Sequence, residues 1–362
     1  MEPKMRSGQT RRLARKLPDL GLIAALSLPV LLVAALLMGM ALAARPAGAE
    51  AKACEGASLA TRLAAAKPDA YAKARAEAAA VANGSGLLWK VEKAGVETSF
   101  LFGTMHVTDP RVTKMPDAAR GHLDAARTVV IETVDILDPA KAQAAMLARP
   151  ELTMFTDDRS LTSLLSDDDL KLVKDELDRR GIPLLLVSKM KPWMIAGLVA
   201  TPACELARKQ EGIDFLDMKI AATATTAGKE LLGLETIGEQ LAAMDSLPIE
   251  FHVRGLVETI RLGDLMPDIM ATMTDLYLQE EVAMIMPIIR AASPEGLDDS
   301  AEDYAEFEEK IIRVRNHVMA TRAAPILDKG SVFMAVGAMH LPGDEGVIAL
   351  LRKAGYTVTR AG

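Results

Sequence analysis

Phe100-Leu101-Phe102-Gly103-Thr104-Met105-His106 and Val332-Phe333-Met334-Ala335-Val336-Gly337-Ala338-Met339-His340 are two versions of one pattern. Each is a short apolar run with aromatic or β-branched residues, which reads as a buried strand. Each run stops at a glycine, which lets the chain turn off the strand end or lets another group approach the backbone. A histidine stands three residues later and projects beyond the carboxyl end of the strand. That is the edge at which open α/β sheets bind ligands. One Gly-x-x-His arises often by chance. Two, on similar strands near opposite ends of a domain, point to a shared site.

Working outward from the first copy, Leu87-Leu88-Trp89-Lys90-Val91 and Glu97 to Phe102 read as a hairpin turning through Gly95. Pro116 opens a helix to about Ala126. Thr128-Val129-Val130-Ile131 is then a strand that ends on Glu132. Strand, Gly-x-x-His loop, helix, strand and glutamate make a βαβ unit, which sets its two strands parallel and puts His106 and Glu132 on one sheet edge. After the second copy, Pro342-Gly343 makes a turn. A helix from Glu345 to Lys353 and a strand from Tyr356 repeat the arrangement.

Between the copies, residues 139–330 read as a large helical insertion. Ser166 caps a helix whose first turn is acidic and which stops at Gly181. Pro192 opens another that is expected to run past Cys204, residues 213–227 form a third, and Glu308 to Leu327 form a long one. Lys229 to Leu234 is a further strand with Glu235 at its end. Met266, Met270 and Met273 fall at helical spacing, and a methionine stripe of this kind is core packing. The expected fold is α/β: a mixed central sheet with paired Gly-x-x-His strand-end loops, a large helical insertion and an N-terminal hydrophobic leader helix.

The first fifty residues differ in kind from the rest. Lys4, Arg6, Arg11, Arg12, Arg15 and Lys16 precede an uncharged run from Gly21 to Ala44, and Ala47-Gly48-Ala49 suits signal-peptidase cleavage. The run is long enough to span a bilayer. Residues 1–49 therefore read as a signal peptide or a membrane anchor, 50–86 as a helical arm and 87–362 as the main domain. The domain lies in the periplasm or elsewhere outside the cytoplasm, free or held to the inner membrane by residues 21–44. Residues 1–49 hold seven of the 42 Lys/Arg and two of the 49 Asp/Glu, so the remaining body carries a formal charge of −12. That balance argues against nucleic acid as a partner. Cys54 and Cys204 are the only cysteines, and in an oxidising compartment they are candidates for a disulfide.

Two imidazoles and a carboxylate on one edge can bind a divalent metal ion with a position left open for water. His106, His340 and Glu132 are the candidate ligands, with Glu132 alternatively a general base beside the ion. Arg315 and Asn316 are candidates to orient a ligand or stabilise an oxyanion. Asp109, Asp135 and Glu235 are of second rank. His122 and His317 fall inside helices and His252 in a loop after Pro248; each reads as solvated or hydrogen-bonded. No phosphate-binding loop, dinucleotide fingerprint or nucleophile elbow is present.

Leu101 to His106, the strand-end Glu132, Gly233-Leu234-Glu235-Thr236 with Gln240, Arg315-Asn316 with Met319, and Val336 to Gly343 with Gly346, Leu350-Leu351 and Gly355-Tyr356 occur in order over roughly residues 87–360. In these motifs the chain resembles the TraB/GumN (TraB–PrgY–GumN–TIKI) family. The resemblance implies an α/β fold with the paired motifs and the glutamate in one cleft. It also implies metal-dependent hydrolysis, as in the animal TIKI proteases, of a peptide or protein. The expected function is thus an exported metal-dependent hydrolase. The rivals are a peptide- or haem-binding protein without turnover and an accessory protein of envelope or polysaccharide assembly.

Overall fold

Alternation along the strands decides how the sheet is used. In the computed structural model, which describes residues 54–293 and 305–361, Phe102, Val129, Ile131, Phe333 and Ala335 face one core. Their neighbours Leu101, Val130, Val332, Met334 and Val336 face another. Successive side chains of a strand point to opposite faces, so a sheet covered on both sides needs continuously apolar strands. The leader and its apolar run 21–44 lie outside the described residues. Among the described residues no helix is long and apolar enough to cross a membrane.

The elements run in the order α1 (Leu59–Ala66), α2 (Pro68–Ala79), β1 (Leu88–Glu92), β2 (Ser99–Thr104), α3 (Asp117–Ala125) and β3 (Thr128–Ile131). Then come α4 (Pro139–Ala148), α5 (Asp167–Arg179), α6 (Pro192–Ala200), α7 (Ala203–Gln210), α8 (Leu216–Thr226) and β4 (Glu230–Gly233). They are followed by α9 (Ile237–Asp245), α10 (Ile249–Arg261), α11 (Met266–Leu278), α12 (Ile285–Ala292), α13 (Val314–Leu327), β5 (Val332–Gly337), α14 (Val347–Lys353) and β6 (Thr357–Arg360).

The six strands form one mixed sheet in the order β4-β3-β5-β2-β1-β6. β4, β3, β5 and β2 are parallel, and β1 is antiparallel to both β2 and β6. β2 and β3 are parallel as the βαβ reading requires, but β5 lies between them. Thr104 pairs with Gly337 and Ile131 with Gly233, so the carboxyl ends of the four parallel strands share one edge. One face is covered by α8, with Leu216, Ile220, Ala221 and Ala224, and by the arm and α11–α12. The other is covered by α13 and α14, through Met319, Ala323, Leu327, Val347, Ile348 and Leu351. Met266, Met270 and Met273 pack against the first core, as the stripe reading expects.

Three expectations are corrected. The helix from Pro192 does not run past Cys204: it ends at Ala200, and Pro202, which cannot donate to a continuing helix, precedes a separate α7. His252 is not in a loop but inside α10, buried, with Nε2 3.0 Å from the Met244 carbonyl oxygen. The long helix is not uniformly α: Glu308–Arg313 is a π-helix that passes into α13.

Cys54 and Cys204 form a disulfide with Cα atoms 5.4 Å apart. Gly330 ends the turn after α13 at φ +72°, and a Cβ there would lie 2.8 Å from the Glu97 nitrogen. Gly330→Ala is expected to destabilise by more than about 1 kcal/mol, because both the left-handed backbone and the close approach exclude a side chain. Gly121, inside α3 with open space around it, should behave oppositely, Ala stabilising by ~0.5–1 kcal/mol. Urea midpoints of the two variants check both signs.

Candidate metal and catalytic site

The site is assembled at the shared carboxyl edge. Glu132 comes directly after β3 and is buried, 7% exposed. Its Oε1 accepts the Gly337 backbone N–H at 2.7 Å. The same Oε1 lies 4.0 Å from His106 Nε2 and 3.8 Å from His340 Nε2. Its Oε2 accepts from Arg315 Nη2 at 2.8 Å and Gln240 Nε2 at 3.1 Å. One oxygen thus faces the two imidazoles and the other is held from behind. The glycine leaves room for this: a Cβ on Gly337 would crowd Glu132 Oε1 at 3.0 Å.

Each imidazole is fixed through its other nitrogen. His106 Nδ1 lies 2.9 Å from Asp217 Oδ2, while Asp217 Oδ1 accepts the Thr104 hydroxyl at 2.7 Å. His340, in a single 3₁₀ turn after β5, has Nδ1 2.7 Å from Asn316 Oδ1. Asn316 Nδ2 donates to the Glu345 carbonyl oxygen at 2.8 Å, which sets the amide orientation. Both Nδ1 atoms face acceptors and so carry protons, leaving the Nε2 atoms directed at Glu132. The π-helix turn just before α13 sits immediately ahead of Arg315 and Asn316, a common placement for such irregularities.

Asp217 was not among the sequence candidates. Its signal was an aspartate at the head of α8 in line with Ile220, Ala221 and Ala224, at the i, i+3, i+4, i+7 spacing of one buried face. Gln240 was quoted only as a motif residue, yet it bridges Glu132 and Glu235. Glu235 is brought to the site, where both its oxygens accept from Arg315. Asp109 is not brought there: it caps the short turn Pro110–Thr113 and pairs with Arg111. Asp135 accepts the Ile237 N–H and pairs with Lys141. Arg315 and Asn316 hold protein groups, a carboxylate pair and an imidazole. His122 stacks on Phe100, and His317 lies near Glu345.

Electrostatically the cleft is an acid trap. Asp217, Glu132 and Glu235 are buried carboxylates set against one guanidinium. These four groups sum to −2, which a protonated His106 offsets in part and a divalent cation beside neutral imidazoles would offset in full. Among the described residues no group of three or more His, Cys, Asp or Glu side chains already meets the geometry that holds a metal. Ligands on a shared ion with bonds of ~2.1 Å lie roughly 3.4 Å apart; the two imidazole Nε2 atoms stand 4.0 and 3.8 Å from Glu132 Oε1.

The two histidines are driven apart in acidity. Loss of water opposes charge on both, on sealed His340 and also on His106, whose ring packs into the site although half of its side chain is open. At His106 the Asp217 hydrogen bond and charge, with Glu132 behind, outweigh it and raise the pKa to about 9. At His340 burial prevails over Glu132, and the pKa falls to about 4. Glu132, opposed by burial but faced by His340, His106 and Arg315, is held at about 2. A raised histidine stabilises the fold below its ordinary value of 6.5 and loses that contribution as pH rises through 9. A lowered one stabilises above 6.5 and loses it as pH falls towards 4. In the metal-free protein, histidine NMR titrations should show His106 shifting near pH 9 and His340 near pH 4; two curves both centred near 6.5 would contradict the geometry.

The chain is 22% identical over 320 residues to the metalloprotease TIKI2 of Danio rerio, covering 76% of this chain and 60% of that protein. It is 22% identical over 319 residues to the metalloprotease TIKI1 of Xenopus tropicalis, with 76% and 61% covered. It is 23% identical over 331 residues to the metalloprotease TIKI1 of Homo sapiens, with 76% and 62% covered. The chain spans about three fifths of the length of these relatives. No solved structure matches it. Residues 87–360, from the approach to β1 to the end of β6, match the TraB/PrgY/gumN family, and the chain belongs to that family.

Proposed function

We propose that this protein is an exported metal-dependent hydrolase of peptide or protein, and that its two Gly-x-x-His loops act as a pair. The observation that carries the reading is the convergence of both imidazole Nε2 atoms on one oxygen of Glu132. His106, His340 and Glu132 would hold a divalent ion, zinc being the best fit to two nitrogens and one oxygen with an open position. When bound, such an ion supplies Lewis acidity and lowers the pKa of water towards neutrality. Asp217 and Asn316 orient the imidazoles with their Nε2 atoms towards Glu132; His106, its pKa raised to about 9, would have to release its Nε2 proton to hold the ion. Arg315 and Gln240 occupy the outer oxygen of Glu132, leaving the inner one for the ion. Despite its burial, the imidazoles and Arg315 beside it keep Glu132 ionised, as a metal-ligand oxygen must be.

The named metalloprotease relatives support a peptide bond as the target. A haem needs apolar walls between its axial ligands, whereas these imidazoles share a carboxylate oxygen. The Cys54–Cys204 disulfide fits an oxidising compartment. It joins the leader reading of residues 1–49, cleaved or retained as an anchor through 21–44, in support of export. In this reading 50–86 is an arm and 87–362 the hydrolase domain, with 139–330 inserted.

Zinc titration of metal-free protein should give one ion per chain, and His106→Ala, His340→Ala and Glu132→Gln should each abolish stoichiometric binding together with hydrolysis of a casein substrate. Asp217→Ala and Asn316→Ala should retain the site with affinity weakened roughly 10–100-fold. A His106→Ala, His340→Ala double variant that stays folded and keeps its zinc would overturn the proposal. Zinc bound without turnover on any peptide library would leave a binding protein.

A further inference from the structure

Two residues beyond His106 lies a second buried cluster that the metal chemistry does not use. Thr108 is 1% exposed, Glu205 2% and Arg208 4%. The Thr108 N–H donates to Glu205 Oε1 and Oε2 at 2.9 and 3.2 Å, and its hydroxyl donates to Oε2 at 2.8 Å. Arg208 Nε donates to the Thr108 hydroxyl at 2.9 Å, and Nη2 donates to Glu205 Oε2 at 3.0 Å. The same Nη2 lies 3.3 Å from Cys54 Sγ, and Cys204 adjoins Glu205 in sequence.

Burying an ion pair costs more than apolar packing of the same volume would. Here both charges are turned on one loop residue. α7 has Glu205 and Arg208 as its buried side chains, so charge and not an apolar face seats it against the loop. The disulfide fastens the second residue of α7 to Cys54. Cys54 leads into an arm tied to α11, where the Ala57 N–H donates to Asp268 and the Leu59 N–H to Thr272. His106 thus stands between two buried anchors, Thr104 on Asp217 and Thr108 on Glu205.

We propose that Glu205 and Arg208 are positioning residues that clamp the His106 loop through Thr108, and that the Cys54–Cys204 bond locks the clamp, so that reducing the bond loosens His106 without unfolding the sheet. Both cysteines are only partly buried, within reach of a dithiol. The dithiol gives up two electrons and two protons and closes its own disulfide, while Cys54 and Cys204 become thiols. The consequence for metal affinity rests on the reading of His106 as a ligand; the clamp itself does not.

Amide hydrogen exchange of residues 105–109 tests the clamp directly, in the oxidised full-length chain, in the chain reduced with dithiothreitol, and in Glu205→Gln. Reduction and Glu205→Gln should each speed exchange at 105–109 by tenfold or more while β5 stays protected, and reoxidation should restore the reduced chain. Zinc affinity, read by chelator competition, should fall roughly 10–100-fold in step. Unchanged exchange at 105–109 after complete reduction overturns the proposal, as does a rise shared equally by β5, which marks a merely structural bond. Should Glu205→Gln fail to fold, the reduced and reoxidised wild type carries the test alone. Faster exchange in a chain that binds no zinc when oxidised keeps the clamp and removes the metal reading.

Discussion

A carboxylate withdrawn from water costs several kcal/mol unless its oxygens find partners, and Glu132 finds them on both sides. The Gly337 amide and the two imidazoles lie at one oxygen; Arg315 and Gln240 lie at the other. Those partners come from the ends of β2 and β5, from α9 and from α13. The carboxylate can be satisfied only if the sheet register, the helix after β4 and the π-helix turn before α13 are all correct. The site is therefore less an addition to the fold than a check on it. Glu235 extends the same logic, since Arg315 divides its charge between two buried acids.

Much of this was legible in the sequence, for a definite reason. Strands buried on both faces have to be continuously apolar, so 100–102, 128–131 and 332–336 stood out against helical surroundings. The glycines that end two of them sit where backbone meets side chain in the cleft. His106, His340 and Glu132 were readable because a strand end imposes a direction on the residues just beyond it. The order of the strands was not readable, because a βαβ unit sets two strands parallel without saying whether a third lies between them. Asp217 was hidden in the spacing of α8, and the break at Pro202 was overridden by the apolar run from Trp193 to Ala200 that precedes it. Asp109 and Asp135 show the converse: acids near a sheet edge serve equally well as local caps, and composition does not separate the two uses.

The histidines illustrate how one edge gives two different groups. His106 is half exposed, with 52% of its side chain open, and leans on a buried aspartate; His340 is sealed and leans on a neutral amide. The same residue type, three positions after the same glycine, is pushed down where burial prevails and up where a charged aspartate outweighs it. Such asymmetry gives a site with one histidine fixed in the interior and one open to solvent.

The position of β5 has a consequence for how the molecule comes into being. β2 and β3 are complete within the first third or so of the chain but pair with each other nowhere; each pairs with β5, made some two hundred residues later. Pairings of that sequence separation are slow to form. The site cannot exist on a nascent chain that stops short of β5, because the Gly337 amide and His340 come from its end. A chain of this topology brings its two histidines together only once β5 has entered the sheet between β2 and β3.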